Sequence, residues 1–137
     1  VPGDVYQRVC NFYAQHMQLL DDGAAEMWAD AFTEDAVFAQ NVKDQPWRGR
    51  AEIAARLRAG IDAGAARGVT RRHWFGMIAV RPGDAAGRYR ARYYAMVLET
   101  PYGGTPAVLF SIVGDDVLED RDGGIAISHR TIAHDGA

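Results

Sequence analysis

From Asp4 to Leu20 the apolar residues Val5, Val9, Phe12, Tyr13, Met17 and Leu20 recur every three or four positions, the spacing of one face of an amphipathic helix. Asp4 is placed to cap that helix, and Asp21-Asp22-Gly23 to end or bend it. Ala24, Met27, Trp28, Ala31 and Phe32 then form the stripe of a second, short helix. Thr33-Glu34-Asp35 reads as a turn, Ala36 to Ala39 as a short strand, and Gln45 to Gly49 as a loop. A third helix is expected from Arg50 to about Ala65, carrying Ile53, Leu57 and Ile61.

Beyond Gly68 the period changes from helical to alternating. Two long strands are expected between Val69 and Leu98, joined at the turn Arg81-Pro82-Gly83-Asp84. Strict alternation puts Arg71, His73, Phe75 and Met77 on one face of the first, and Arg72, Trp74, Ile78 and Val80 on the other. On the second, Tyr89, Ala91, Tyr93 and Val97 oppose Arg88, Arg90, Arg92, Tyr94 and Met96. A third long strand spans Ala107 to Leu118, and Asp120 to Gly124 is a hairpin turn into a last strand from Ile125 to about Ala133. Helices gathered early and long antiparallel strands gathered late predict an α+β domain whose helices cover one face of a curved sheet. Such a layer pair leaves room for a conical pocket between them.

The length, 137 residues, suits one domain, and a 48% hydrophobic share supplies a core. A formal charge of -3 argues against nucleic acid as the main partner, and the Arg88, Arg90, Arg92 stripe reads as an ion-pair network or a solvated face. The single cysteine, Cys10, excludes an internal disulfide. No membrane span or targeting segment is evident, so a cytoplasmic protein is expected. Trp74, Tyr89 and Tyr93 load both faces of the long strands, which points to a homodimer.

The chemistry-bearing residues are few. His73 can give or take a proton near neutral pH, or it can be a structural histidine bonded to a carbonyl or a tyrosine. Asp115 and Asp116 interrupt an apolar strand, and alternation turns Asp116 toward the face of Phe110 and Ile112. There it serves either as a pocket acid or base, or as a strand carboxylate satisfied by Arg88, Arg90 or Arg92. Tyr13, Tyr93 and Tyr94 offer hydroxyls to a phenolic or enolic oxygen, and Trp28, Trp47 and Phe110 offer flat faces to a planar ligand; each is also ordinary core material. His16, His73, His129 and His134 lack metal-ligand spacing, and Gly103-Gly104 and Gly123-Gly124 sit in hairpins, so no metal and no cofactor are expected.

The order of elements resembles the nuclear-transport-factor-2-like cone, and within it the SnoaL-like polyketide cyclases and dehydratases. The resemblance runs over nearly the whole chain, residues 1–137 as a single SnoaL-like domain. It is carried by Tyr13 with Asp21-Asp22 at the helix bend, Trp28 and Phe32-Thr33-Glu34-Asp35, Gly49, Arg72-His73, Gly83-Asp84, Asp116-Val117-Leu118, Asp122-Gly123, Arg130 and Asp135. The scytalone dehydratases of that superfamily place an aspartate at the first helical bend and a histidine at the start of the long sheet, and Asp21 and His73 look like the matching positions. Their second pocket histidine has no match on the following strand, where Tyr93, Tyr94 and Met96 stand, and their later asparagine falls near Gly114. That departure bears on scytalone-type dehydration; Asp/His proton transfer needs only the positions that match.

The resemblance implies a cofactor-independent isomerase, cyclase or dehydratase acting on a small hydrophobic, aromatic or polyketide-like intermediate. Asp21 or an Asp21/His73 pair would take a proton next to a carbonyl, with a tyrosine or Asp116 stabilising the enol. The same fold also hosts non-catalytic small-molecule binders and transport-factor-like interaction domains, which stand as the alternatives.

Overall fold

A computed structural model describes residues 1–137. The first helix, α1 (Gly3–Asp21), buries Val5, Val9, Tyr13, His16 and Met17, the face its apolar spacing predicts. Its cap residue is Pro2 rather than Asp4, which sits in the first turn where a negative charge still complements the helix dipole. Gly23, at φ 79°, bends the chain into the short α2 (Ala25–Ala29), a conformation that costs glycine little. Trp28 and Phe32 are buried, at 2% and 0% exposure, between the helices and the sheet. Met27, expected on the buried stripe of α2, is exposed instead.

The first strand, β1 (Phe32–Gln40), takes in Thr33-Glu34-Asp35, which local composition marks as a turn. Pairing overrides that preference, because β1 runs parallel to the last strand from Phe32↔Ile127 to Gln40↔Ile132, with an irregularity between Phe32 and Val37. A two-residue strand, β2 (Trp47–Arg48), occupies part of the predicted loop and pairs with β1. After α3 (Arg50–Ala66) come β3 (Val69–Pro82), β4 (Arg88–Pro101), β5 (Ala107–Arg121) and β6 (Gly124–His134). Together the strands make one sheet in the order β2-β1-β6-β5-β4-β3, antiparallel except at β1/β6. The fold is thus the α+β cone of the nuclear-transport-factor-2-like type, with its helices packed on a curved, mostly antiparallel sheet.

Bulges interrupt strict alternation along the long strands. In β3 an extra residue lies between Gly76 and Ala79, and Met77 adopts φ 50°. The bulge reverses parity: Ile78 and Val80 join His73 and Phe75 on the inner side, where unbroken alternation would set them beside Trp74. Further shifts fall at Val97/Leu98 and at Val117/Leu118. Each bulge increases local twist, and such bends let a sheet close around the helices packed on it.

Candidate active site

The register of the four long strands lines up the concave face row by row. His73 pairs with Val97, which pairs with Phe110; in the next inward row Phe75, Ala95, Ile112 and His134 stand side by side. Tyr93 pairs with Gly114 and Gly114 with Ile132, while Ala91, Asp116 and Arg130 form the deepest of these rows. A cavity of about 160 Å³ opens over the first two rows, closed from above by Met17, Leu20, Trp28 and Leu57. Its polar wall residues are Gln40, His73, Arg130 and His134.

His73 is the cavity's link to Asp21. Asp21 ends α1, and its carboxylate meets β3 at two atoms: Oδ1 lies 2.7 Å from His73 Nδ1, and Oδ2 accepts the His73 backbone N–H at 3.2 Å. A carboxylate can only accept here, so Nδ1 carries a proton, and in the neutral ring the lone pair is left on Nε2. Nε2 has no hydrogen-bond partner within the chain. Asp21 also borders a cleft of about 340 Å³ between the α1 bend, α3 and β3, which shares Leu20, Leu57 and His73 with the cavity.

Asp116 faces inward as alternation predicts, but it is sealed beneath the cavity rather than lining it. It accepts from Tyr13 Oη at 2.8 Å, Tyr93 Oη at 3.2 Å, Arg130 Nε at 3.0 Å and Arg130 Nη2 at 2.9 Å. Its arginine is therefore Arg130, directly across the β5/β6 ladder, rather than Arg88, Arg90 or Arg92, which point outward. Burial opposes the Arg130 charge, yet Asp116 more than compensates and raises the guanidinium pKa above its ordinary value. Tyr13 and Tyr93 are pushed well above the usual tyrosine range, first by burial and further by the Asp116 charge, so both hydroxyls stay protonated donors.

His16 completes this cluster. Arg130 Nη1 lies 3.0 Å from His16 Nε2, and since arginine can only donate, Nε2 is the acceptor and the imidazole is neutral. Burial, reinforced by Arg130 and His73, holds its pKa well below the usual histidine value. The ring lies flat against Trp28 with centroids 5.0 Å apart, and Nδ1 has no partner.

Of the aromatic candidates, Trp28, Trp47 and Phe110 line the cavity. Tyr13 and Tyr93 spend their hydroxyls on Asp116, and Tyr94 lies on the outer face, 54% exposed. Of the other polar wall residues, Gln40 is not among the sequence candidates, Arg130 enters there only through the family resemblance, and His134 only among the histidines that lack metal-ligand spacing. Alternation back from Ile132 gives Arg130 and forward gives His134, so the signal was present for a strand carried one residue past Ala133. A larger polar groove of about 610 Å³ includes Asp84, Arg88, Arg90 and Glu119. It holds neither Asp21 nor His73, so size alone does not select the site. No group of three or more His, Cys, Asp or Glu side chains converges as metal ligands would. No helix is long and apolar enough to cross a membrane.

Comparison with known proteins bears on the same layout. The model of a SnoaL-like domain matches residues 4–131. The chain belongs to the SnoaL-like family. Among solved structures this SnoaL-like chain is similar to Aln2 from a Streptomyces species, at 30% identity and a TM-score of 0.89, covering 98% of this chain and 94% of that one. ActVI-ORFA from Streptomyces coelicolor gives 31% identity and a TM-score of 0.90, over 99% and 98%. A protein from Catenulispora acidiphila, solved in complex with S-DNPA, gives 33% and 0.83, over 98% and 96%. No curated protein matches.

Proposed function

We propose that this SnoaL-like protein is a cofactor-independent cyclase, isomerase or dehydratase that works by acid-base chemistry on an aromatic or polyketide-like intermediate. The observation that carries the proposal is the Asp21–His73 pair at the cavity wall, 2.7 Å between Oδ1 and Nδ1. Asp21 holds the tautomer in which Nε2 is the base, and it stabilises the imidazolium once His73 has taken a proton from carbon next to a carbonyl. The electrons move onto the carbonyl oxygen. Arg130 is the only arginine or lysine on the cavity wall, and its guanidinium supports that negative charge. The imidazolium then returns its proton after ring closure, at the shifted double bond, or to a departing hydroxyl.

Trp28, Trp47 and Phe110 supply flat apolar walls for the ring system. Alone, 160 Å³ is below the roughly 300–1,000 Å³ usual for small-molecule sites; the cleft of about 340 Å³ lies on the other side of the shared residues Leu20, Leu57 and His73, and a ligand that parts them gains that space. A substrate that spans both would pass its reacting carbon beside His73. The similar Catenulispora acidiphila protein was solved in complex with S-DNPA, which supports a ligand-binding cavity without supplying a substrate. Product analysis against a panel of aromatic and polyketide-like carbonyl compounds tests the proposal. Conversion of at least one compound, without added metal or nucleotide and lost in Asp21→Asn, is expected; tight binding without conversion across the panel would make the protein a binder.

A further inference from the structure

The cavity has a second imidazole. His134 ends β6 in the row Phe75, Ala95, Ile112, His134, on the far side of β4 and β5 from His73, and it lines the same cavity. Its position is well fixed. Asn41 clamps its backbone from both sides, accepting the His134 N–H at 2.8 Å and donating to its carbonyl at 3.2 Å. The ring meets Phe110 edge-on with centroids 4.9 Å apart. Nε2 lies 3.2 Å from Gln40 Oε1, which can only accept, so Nε2 carries the proton and Nδ1 is left with a lone pair. Nδ1 has no partner within the chain.

From this arrangement we infer that His134, oriented by Gln40, is a second ligand-contacting group whose Nδ1 accepts a hydrogen bond from a phenolic or enolic hydroxyl of the ligand. The inference rests on the cavity being the substrate site and adds what its far wall recognises. Burial, with Lys43 nearby, lowers the His134 pKa over the opposing pull of Asp135, which keeps the ring neutral and its lone pair available. Asp135 is itself occupied by the Ser111 hydroxyl at 2.6 Å. Three strand spacings separate β3 from β6, about 14 Å along a flat sheet and less across a curved one. A ligand touching both histidines therefore spans the cavity from β3 to β6, with its hydroxyl at the end remote from the carbon that His73 deprotonates.

The test compares 2-naphthol with naphthalene, which share a ring system and differ in the hydroxyl. Side-chain nitrogen NMR of the folded protein is expected to show the His134 Nδ1 resonance moving with 2-naphthol and staying in place with naphthalene. His134→Phe keeps the aromatic contact to Phe110 and removes the acceptor. It should weaken 2-naphthol roughly 2- to 12-fold, as for one neutral hydrogen bond, and leave naphthalene unchanged. If both probes shift Trp47 and His73 resonances while His134 ignores the hydroxyl, or if the variant weakens both probes alike, the hydroxyl-reading role is overturned and the cavity stands. If neither probe perturbs Trp47 or His73, the cavity reading itself fails and this inference with it.

Discussion

A buried carboxylate is tolerated only when its lone pairs are used, and Asp116, with no exposed side-chain surface, accepts from two tyrosines and from the Nε and Nη2 groups of one guanidinium. Those bonds fix Arg130 at the cavity wall with His16 behind it, so under the proposed function Asp116 would act on a ligand through Arg130 rather than by touching it. Asp116→Ala would leave the guanidinium buried and uncompensated. The expected loss of stability is about 3–5 kcal/mol, read as a lower urea midpoint at unchanged slope. A midpoint within experimental error of the parent would mean that the ion pair does not organise the core.

At the scale of elements, the fit between β4 and β5 decides where the cavity stops. Tyr93 lies across Gly114, its strand partner, so closely that a Cβ there would fall among the Tyr93 ring carbons. The same ring stacks on Phe75 at 4.2 Å, which prevents it from backing away. Gly114→Ala should therefore cost about 1–3 kcal/mol by overpacking and displace the Tyr93 hydroxyl from Asp116. Thermal unfolding measures the first effect, and a crystal structure of the variant the second. The helices and the alternation of β4 were legible in the sequence because their apolar spacing is strong and local. Asp21 and His73 are paired in the sequence only through the family resemblance, since their contact is made across 52 positions of chain that no local pattern reports. The Met77 bulge was not legible: pairing with β4 creates it, and it reversed the expected sides of Ile78 and Val80. Thr33 to Asp35 were drawn into β1 by β6 for the same reason.

Two expectations belong to the whole molecule. Trp74, Met77, Tyr94 and Met96 leave an apolar surface on the outer sheet, while Tyr89 and Tyr93, read from sequence as part of that load, face the core instead. A homodimer covering the outer face is expected. Light scattering at micromolar concentration should then give twice the 15.0 kDa chain mass, and a species at the chain mass throughout would contradict it. The second concerns acid. His16 is neutral in the fold, with a pKa well below its unfolded value, so below about pH 6.5 the unfolded chain binds a proton that the folded one refuses. Its contribution to stability is full above that pH and declines as pH falls toward the folded value, by up to about 1.4 kcal/mol per pH unit. Urea midpoints measured from pH 7.5 to 5 should drop less steeply in His16→Gln than in the parent, and equal slopes would remove His16 as the cause.

In the proposed function His73, held by Asp21, moves a proton to and from carbon in this cavity. Deuterium incorporation next to the carbonyl of a converted panel compound, followed by mass spectrometry in D₂O, reads that step without requiring the final product to form. His73→Gln keeps a polar side chain but cannot serve as the base. The account predicts enzyme-dependent incorporation by the parent and a roughly 10²–10⁴-fold slower rate in the variant at saturating ligand. Incorporation at the parental rate in His73→Gln, or conversion by the parent with no deuterium gained, would contradict it.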